Sequence, residues 1–198
     1  MTIDRVVADF FVSLHSTLLT HLAWMVTSLG NEATLCLASV VLLGWCLFRG
    51  QHREALTVAI GMAGSAAMTV GVKHLVQRAR PGAEFRVPGA GPDQSFSFPS
   101  GHTMNTTVFV IVLGAVLWPW LVTRTRRTCV VGMGAVVALT VGASRIYLGY
   151  HWFTDVLAGL AIGATWGLLV VWFLCRTGNP DGGLLVNPAD QRWQSQKG

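Results

Sequence analysis

The chain has 198 residues, of which 52% are hydrophobic and only 12% are charged. A soluble domain carries about 25% charged residues, so this composition excludes an ordinary soluble enzyme, a disordered chain and a collagen-like fibre. The net charge of +5 does not indicate nucleic acid, because the basic residues are spread between apolar segments and form no continuous stripe. The composition predicts an integral membrane protein with one domain.

Residues 1–30 are predicted to form an N-terminal amphipathic helix. Apolar residues recur at helical spacing between Phe10 and Leu29, and serine and threonine occupy many of the positions between them. This pattern is typical of a helix that lies in the membrane interface. A weakly apolar sixth span is the alternative interpretation.

Five further segments are apolar enough to cross a bilayer, which requires about 17–25 residues. Because lipid does not satisfy backbone polar groups, these segments are predicted helices. The fold class is therefore all-α, a polytopic transmembrane helix bundle with five spans plus the N-terminal helix. The predicted spans are residues 31–48, 55–75, 103–122, 129–144 and 154–175. In the last span Gly159, Gly163 and Gly167 lie four residues apart, which predicts a face that another helix approaches closely.

The arginines of the short connections predict the orientation of the bundle. With five spans they all lie on one side: Arg49, Arg53, Arg124, Arg126, Arg127 and Arg176. The positive-inside rule makes this side cytoplasmic, so the connections 76–102 and 145–153 face outward. Residues 31–176 form the predicted transmembrane domain. Residues 177–198 are predicted to be a mobile cytoplasmic tail.

Lys73 and Arg80 lie in the first outward connection or beside it. In a continuous helix their spacing of seven would place them on one face, two turns apart. Two converging cations suit a phosphate group, to which arginine offers a bidentate fork. A single cation at a span end is usually one that snorkels to the interface, but several ionisable groups on one face indicate a functional site.

The start of the third span predicts an anion site. Ser100 is a candidate N-cap, and Gly101 leaves room for a ligand to approach the free backbone N–H groups of the helix. His102 would lie in the first turn beside that anion.

His151 and Asp155 are four residues apart near the start of the last span, a spacing that would place them on one face of the helix. There the carboxylate can accept the proton of one imidazole nitrogen and leave the other nitrogen as nucleophile or base. Arg145 adds a third cation. Two histidines, three cations and one acid indicate phosphoryl transfer, which depends on positioning and charge stabilisation. Only one carboxylate lies in the cluster, so no metal site is predicted.

These residues resemble the type 2 phosphatidic acid phosphatase (PAP2) family, also called the lipid phosphatase or vanadium haloperoxidase superfamily. The family pattern is K-x6-R-P, then P-S-G-H, then S-R-x5-H-x3-D. The chain contains all three blocks in this order and without a substitution, at residues 73–81, 99–102 and 144–155.

The resemblance implies a metal-independent phosphatase that uses no cofactor. By analogy, His151 attacks phosphorus and becomes phosphohistidine, Asp155 orients it, and His102 protonates the leaving oxygen. The residues that would hold the phosphate oxygens are Lys73, Arg80, Ser100, Gly101 and Arg145. Membrane members of the family carry this site at the extracytoplasmic end of the bundle, which agrees with the loop charges.

The expected substrate is a lipid phosphate or pyrophosphate, with its phosphate in the headgroup layer and its tail among membrane lipids. By analogy with small family members, undecaprenyl pyrophosphate is preferred, and phosphatidic acid, phosphatidylglycerol phosphate and a lipid A phosphate are alternatives. Residues 84–97 are expected to help select the substrate. A lipid phosphotransferase is the alternative class of enzyme. The expected location is the bacterial inner membrane, with the site facing the periplasm or the outside.

Overall fold

The computed structural model describes residues 2–176, with side chains up to residue 174, and within this part of the chain every regular element is helical. The α-helices are α1 (Ile3–Ser13), α2 (Thr17–Leu29), α3 (Glu32–Phe48), α4 (His52–Val76), α5 (Gly101–Leu117), α6 (Arg124–Tyr147) and α7 (Phe153–Arg176). The predicted all-α class is confirmed. The predicted tail at residues 177–198 lies outside the described residues.

Four helices, α4 to α7, are long and apolar enough to cross a membrane by themselves. α2 and α3 pass the same test as a pair that is bent by 40°. The described residues therefore contain four candidate spans, or five if the bent pair crosses as one, which agrees with the predicted number of five. The fifth candidate includes α2, which was predicted to lie in the membrane interface.

The prediction of one helix over residues 1–30 is wrong, because the chain turns between α1 and α2. Ser16 lies at the N-cap of α2, where its hydroxyl oxygen accepts a hydrogen bond from the backbone N–H of Leu19. The polar residues near this turn contact Tyr147 at the end of α6: its hydroxyl lies 3.1 Å from the Ser16 N–H and 3.1 Å from the Thr20 hydroxyl. Part of the polar pattern therefore serves contacts within the protein.

α5 lies at the centre of the bundle and packs against α3, α4, α6 and α7. Its buried side chains Val108, Val112 and Val116 join Val58 of α4 in a hydrophobic cluster. The close approach predicted for the glycines of α7 is confirmed on the opposite face of α5. A Cβ atom at Gly163 would lie 2.8 Å from the carbonyl oxygen of Met104, which leaves no space for a side chain.

The connections divide between two ends of the bundle. At one end the Arg53 guanidinium donates to the carbonyl oxygen of Leu174, and the Trp45 and Trp120 rings pack at 5.2 Å. The connections α3–α4 and α5–α6 and the end of α7 therefore meet there, with the arginines of the short loops. At the opposite end α1, the 77–100 connection and the α6–α7 turn come together. All the predicted site residues belong to this second end.

Candidate active site

The first two predicted cations do not share a helix. α4 ends at Val76, and Gln77 has a left-handed backbone (φ 51°) with its N–H bonded to the carbonyl oxygen of Lys73. The expectation of one helical face for Lys73 and Arg80 is therefore wrong. Their ends meet through Ser95, whose hydroxyl oxygen accepts from Lys73 Nζ at 3.2 Å and from Arg80 Nη2 at 2.7 Å.

The Arg80 guanidinium is buried and forms several polar contacts. It donates to the carbonyl oxygens of Ser95 and Tyr150 at 2.8 and 2.7 Å, and it pairs with Asp93 at 2.7 Å. Burial lowers the pKa of Arg80, and the nearby Asp93 charge opposes that shift. Burial raises the pKa of Asp93, but the Ser95 N–H bond and the charge of Arg80 outweigh it, so the pKa lies below its ordinary value. A carboxylate thus occupies part of the arginine surface that an anionic ligand would use.

His151 and Asp155 are both buried and face each other. His151 Nδ1 lies 3.5 Å from Asp155 Oδ2, which is slightly longer than a direct hydrogen bond. His151 Nε2 lies 3.2 Å from Arg80 Nη1. α7 starts at Phe153, so His151 precedes the helix, and the expectation that helical spacing aligns the pair is wrong. The Asp155 carboxylate instead points back towards the turn that precedes α7, where it accepts a hydrogen bond from the Trp152 N–H at 2.9 Å.

The environment of His151 keeps its imidazole neutral. Burial is the largest influence and lowers the pKa of His151 to about 4, the positive charges of Arg80 and Arg145 act in the same direction, and Asp155 opposes them. At neutral pH the ring therefore has one nitrogen with a lone pair and one N–H. Because a guanidinium only donates hydrogen bonds, the lone pair belongs on the nitrogen that faces Arg80, Nε2, and the proton on Nδ1, towards Asp155.

Asp155 is held by more than its own turn. Its Oδ1 accepts from Arg78 Nη1 at 2.6 Å, and its Oδ2 accepts from the buried Ser97 hydroxyl. Two side chains of the 77–100 connection therefore orient the carboxylate, and its Oδ2 faces His151.

The start of α5 lies where the anion site was predicted, but the predicted capping by the Ser100 side chain is not observed. Ser100 lies at the N-cap, yet its side chain forms no capping hydrogen bond and instead accepts one from the Thr103 hydroxyl at 2.9 Å. The Ser100 N–H donates to the carbonyl oxygen of Asp155 at 3.1 Å, which joins the start of α5 to α7. His102 lies in the first turn, within electrostatic range of Arg145 and His151.

Arg145 completes the cations of the site from α6. It is buried at 5% exposure, its guanidinium stacks over the Tyr150 ring at 4.4 Å, and Nη1 donates to the Thr27 hydroxyl at 3.2 Å. Its Nε has no hydrogen-bond partner among the residues that the structure describes. An uncompensated donor on a buried cation is a group that an anionic ligand would satisfy.

The structure brings the eight predicted residues to one end of the bundle, and it adds others that the sequence did not assign to the site. The added residues are Asp4, Thr27, Arg78, Asp93, Ser95 and Ser97. These residues had a signal in part, since Arg78 lies inside the first motif block and Asp93, Ser95 and Ser97 lie between the first and second blocks. Asp4 and Thr27 had none, because they lie far away in the sequence from their partners, 74 residues from Asp4 to Arg78 and 118 residues from Thr27 to Arg145. In the part of the chain that the structure describes, no group of three or more His, Cys, Asp or Glu side chains could hold a metal ion.

A helix bundle of membrane-spanning length with cations, histidines and one buried acid at one end is typical of a membrane enzyme that acts on an anionic substrate. The chain matches the PAP2 superfamily over residues 54–177 and belongs to that family. It is 28% identical to phosphatidylglycerophosphatase B of Bacillus subtilis over 87% of this chain and 81% of that protein. It is 30% identical to decaprenylphosphoryl-5-phosphoribose phosphatase of Mycobacterium tuberculosis over 66% of this chain and 67% of that protein.

A solved structure supports the same assignment. The crystal structure of a transmembrane PAP2-type phosphatidylglycerolphosphate phosphatase from Bacillus subtilis superposes with a TM-score of 0.80 and 27% identity. The match covers 90% of this chain and 87% of that chain. The protein is therefore an integral membrane phosphatase of the PAP2 type.

Proposed function

We propose that the protein hydrolyses a lipid phosphate through a phosphohistidine formed on His151. The observation that carries the proposal is the position of His151 between Asp155 and Arg80. The lone pair of Nε2 attacks phosphorus, the bond from phosphorus to the leaving oxygen breaks, and His102 donates a proton to that oxygen. Asp155 stabilises the positive charge that develops on the imidazole. Water then attacks phosphorus and gives a proton to His102 while the bond from phosphorus to Nε2 breaks, which releases inorganic phosphate and restores neutral His151.

The cations are proposed to hold the phosphate oxygens. Arg80, Arg145 and Lys73 converge on the histidine side of the site, and the N–H groups of Gly101 and His102 lie in the first turn of α5, which has no side-chain cap. Phosphoryl transfer depends chiefly on such positioning and charge stabilisation. In this proposal Asp93 leaves Arg80 when substrate enters, since phosphate offers the guanidinium a stronger bidentate partner.

The names of two relatives support a lipid with a terminal phosphate as the proposed substrate. One of them is named as a phosphatidylglycerophosphatase and the other as a phosphatase of a decaprenyl lipid. We therefore propose phosphatidylglycerol phosphate and undecaprenyl pyrophosphate as the two substrates to compare first. Phosphatidic acid and a lipid A phosphate remain members of the same class.

The proposed location is the bacterial inner membrane, with the site facing the periplasm or the outside. The support is that the arginines of the short loops lie at the end of the bundle opposite the site. A maleimide that does not cross membranes should label Gln94→Cys in intact cells and not Thr125→Cys, each compared with the parent chain. The reverse pattern would contradict the proposed orientation.

The central experiment measures phosphate release by detergent-purified protein from a panel of these lipids, with and without a chelator. His151→Ala should abolish release and leave the protein folded, whereas His21→Ala, at an exposed histidine of α2, should behave like the parent. Substantial release by His151→Ala would refute the nucleophile, and loss in chelator that Mg²⁺ restores would refute metal independence. A product that forms only with a lipid or sugar acceptor would identify a phosphotransferase.

A further inference from the structure

A buried carboxylate on the N-terminal helix is joined to the catalytic acid. Asp4 lies in the first turn of α1 and is 8% exposed. Its Oδ1 accepts the backbone N–H of Thr154 at 2.8 Å, its Oδ2 accepts Arg78 Nη2 at 2.6 Å, and the Thr154 hydroxyl lies within 3.0 Å of both oxygens. Burial raises the pKa of Asp4, but the hydrogen bonds from Thr154 and Arg78 outweigh it and hold the pKa below its ordinary value. Asp4 is therefore ionised at neutral pH.

Arg78 bridges two carboxylates with the two arms of its guanidinium. Nη2 contacts Asp4 and Nη1 contacts Asp155 Oδ1, each at 2.6 Å. With Asp155 alone, Arg78 would form a neutral pair. With Asp4 added, the three groups carry one net negative charge, so Arg78 no longer neutralises the charge of Asp155 by itself.

That net charge matters because His151 is otherwise surrounded by positive groups. The ionisable groups that face it are Asp155 of α7, Arg80 of the 77–100 connection, Arg145 of α6 and His102 of α5. Asp155 is the acid among them. The imidazole becomes positively charged when it bonds to phosphorus. The stability of that charged form therefore depends on how much of the Asp155 charge Arg78 has neutralised.

We propose that Asp4 is a positioning residue for the phosphoryl transfer, and this rests on the proposed function of His151 and Asp155. By pairing with Arg78, Asp4 leaves the charge of Asp155 available to His151. By accepting the N–H of Thr154, it also holds the first turn of α7, where an anion is favoured and from which Asp155 projects. In this proposal helix α1 supports the active site through Asp4.

The experiment compares Asp4→Asn, Asp4→Glu and Asp9→Asn in detergent-purified full-length protein. Asp9 is the matched control, because it is an exposed carboxylate on the same helix. Asp4→Asn should lower kcat about tenfold and change KM less than twofold, since Asp4 does not contact the phosphate. Asp4→Glu keeps the charge and should retain kcat within about threefold of the parent, and Asp9→Asn should match the parent.

A double-mutant cycle with Asp155→Asn separates this role from simple anchoring of α1. With an activated aryl phosphate, Asp4→Asn should cost less than twofold in the Asp155→Asn background, because there is no Asp155 charge left to preserve. An equal loss in both backgrounds, or unchanged kcat in Asp4→Asn alone, would overturn the proposal. If Asp4→Asn does not fold, the cycle is run with Asp4→Glu, whose loss of kcat beyond threefold would also overturn it. Failure of the proposed function itself would differ: the parent would release no phosphate, or His151→Ala would remain active.

Discussion

Replacing Gly159 or Gly163 by alanine tests whether the close contact between α5 and α7 holds the site together. A Cβ atom at Gly159 would lie 2.9 Å from the carbonyl oxygen of Ser100, and one at Gly163 would lie 2.8 Å from that of Met104. Ordinary van der Waals contacts of a Cβ atom begin at 3.4 Å. Because the neighbouring atoms belong to the backbone, the two helices must separate by several tenths of an ångström.

The expected cost follows from two opposing effects. Overpacking a well-packed contact costs about 1–3 kcal/mol. Replacing glycine by alanine inside a helix returns up to about 1 kcal/mol through helix propensity. The net loss for Gly163→Ala is therefore about 1–2 kcal/mol in the free energy of unfolding. Gly159 lies one turn from Asp155 and against Ser100, so Gly159→Ala should also lower kcat by about tenfold, because small displacements of catalytic groups are costly.

Two other glycines provide matched controls. The three atoms nearest to a Cβ atom at Gly167 all belong to the side chain of Ile111, at 3.2–3.3 Å, and Gly132 of α6 has no neighbour within 4 Å of its Cβ position. Alanine at either position should leave kcat unchanged and the melting temperature equal or higher. Thermal unfolding in detergent and phosphate release from one lipid phosphate measure both quantities. If Gly159→Ala and Gly163→Ala behaved like these controls, the packing argument would be refuted.

Three further predictions concern the chemistry of the site. Asp93→Asn removes the carboxylate that pairs with Arg80, so KM should fall about two- to fivefold at nearly constant kcat; a higher KM in the rate assay would show that Asp93 orients the arginine instead. Because burial lowers the pKa of His151 to about 4, the acid limb of kcat/KM, corrected for substrate ionisation, should have its midpoint near pH 4, and an acid limb with its midpoint near pH 6.5 would contradict this. His102→Ala should slow lipid phosphates, which have poor leaving groups, more than activated aryl phosphates; equal losses for both substrate types would argue against an acid.

Much of the architecture could be predicted from the order of residues alone. Long apolar segments in a chain with 12% charged residues must be helices within lipid, and the few ionisable groups near their ends stand out against this background. The spacing of Gly159, Gly163 and Gly167 is also a local property of one helix, and it predicted the face on which α5 packs.

Local spacing was misleading wherever the chain leaves its helices. Lys73 and Arg80 meet through Ser95 because Gln77 ends α4, and His151 meets Asp155 through a turn that precedes α7. In each case the residues are close in space, but the backbone that brings them together is irregular. Helical periodicity therefore predicted the proximity for the wrong reason.

The sequence by itself determined the class of protein, its all-helical fold, and which polar residues gather at one end, because these follow from composition and from spacing within single segments. Only the tertiary structure decided the partners of those residues. The contacts of Asp4 with Thr154 and of Thr27 with Arg145 join parts of the chain that are more than 100 residues apart. Such pairs depend on how helices pack against one another, and no periodicity within one segment records that packing.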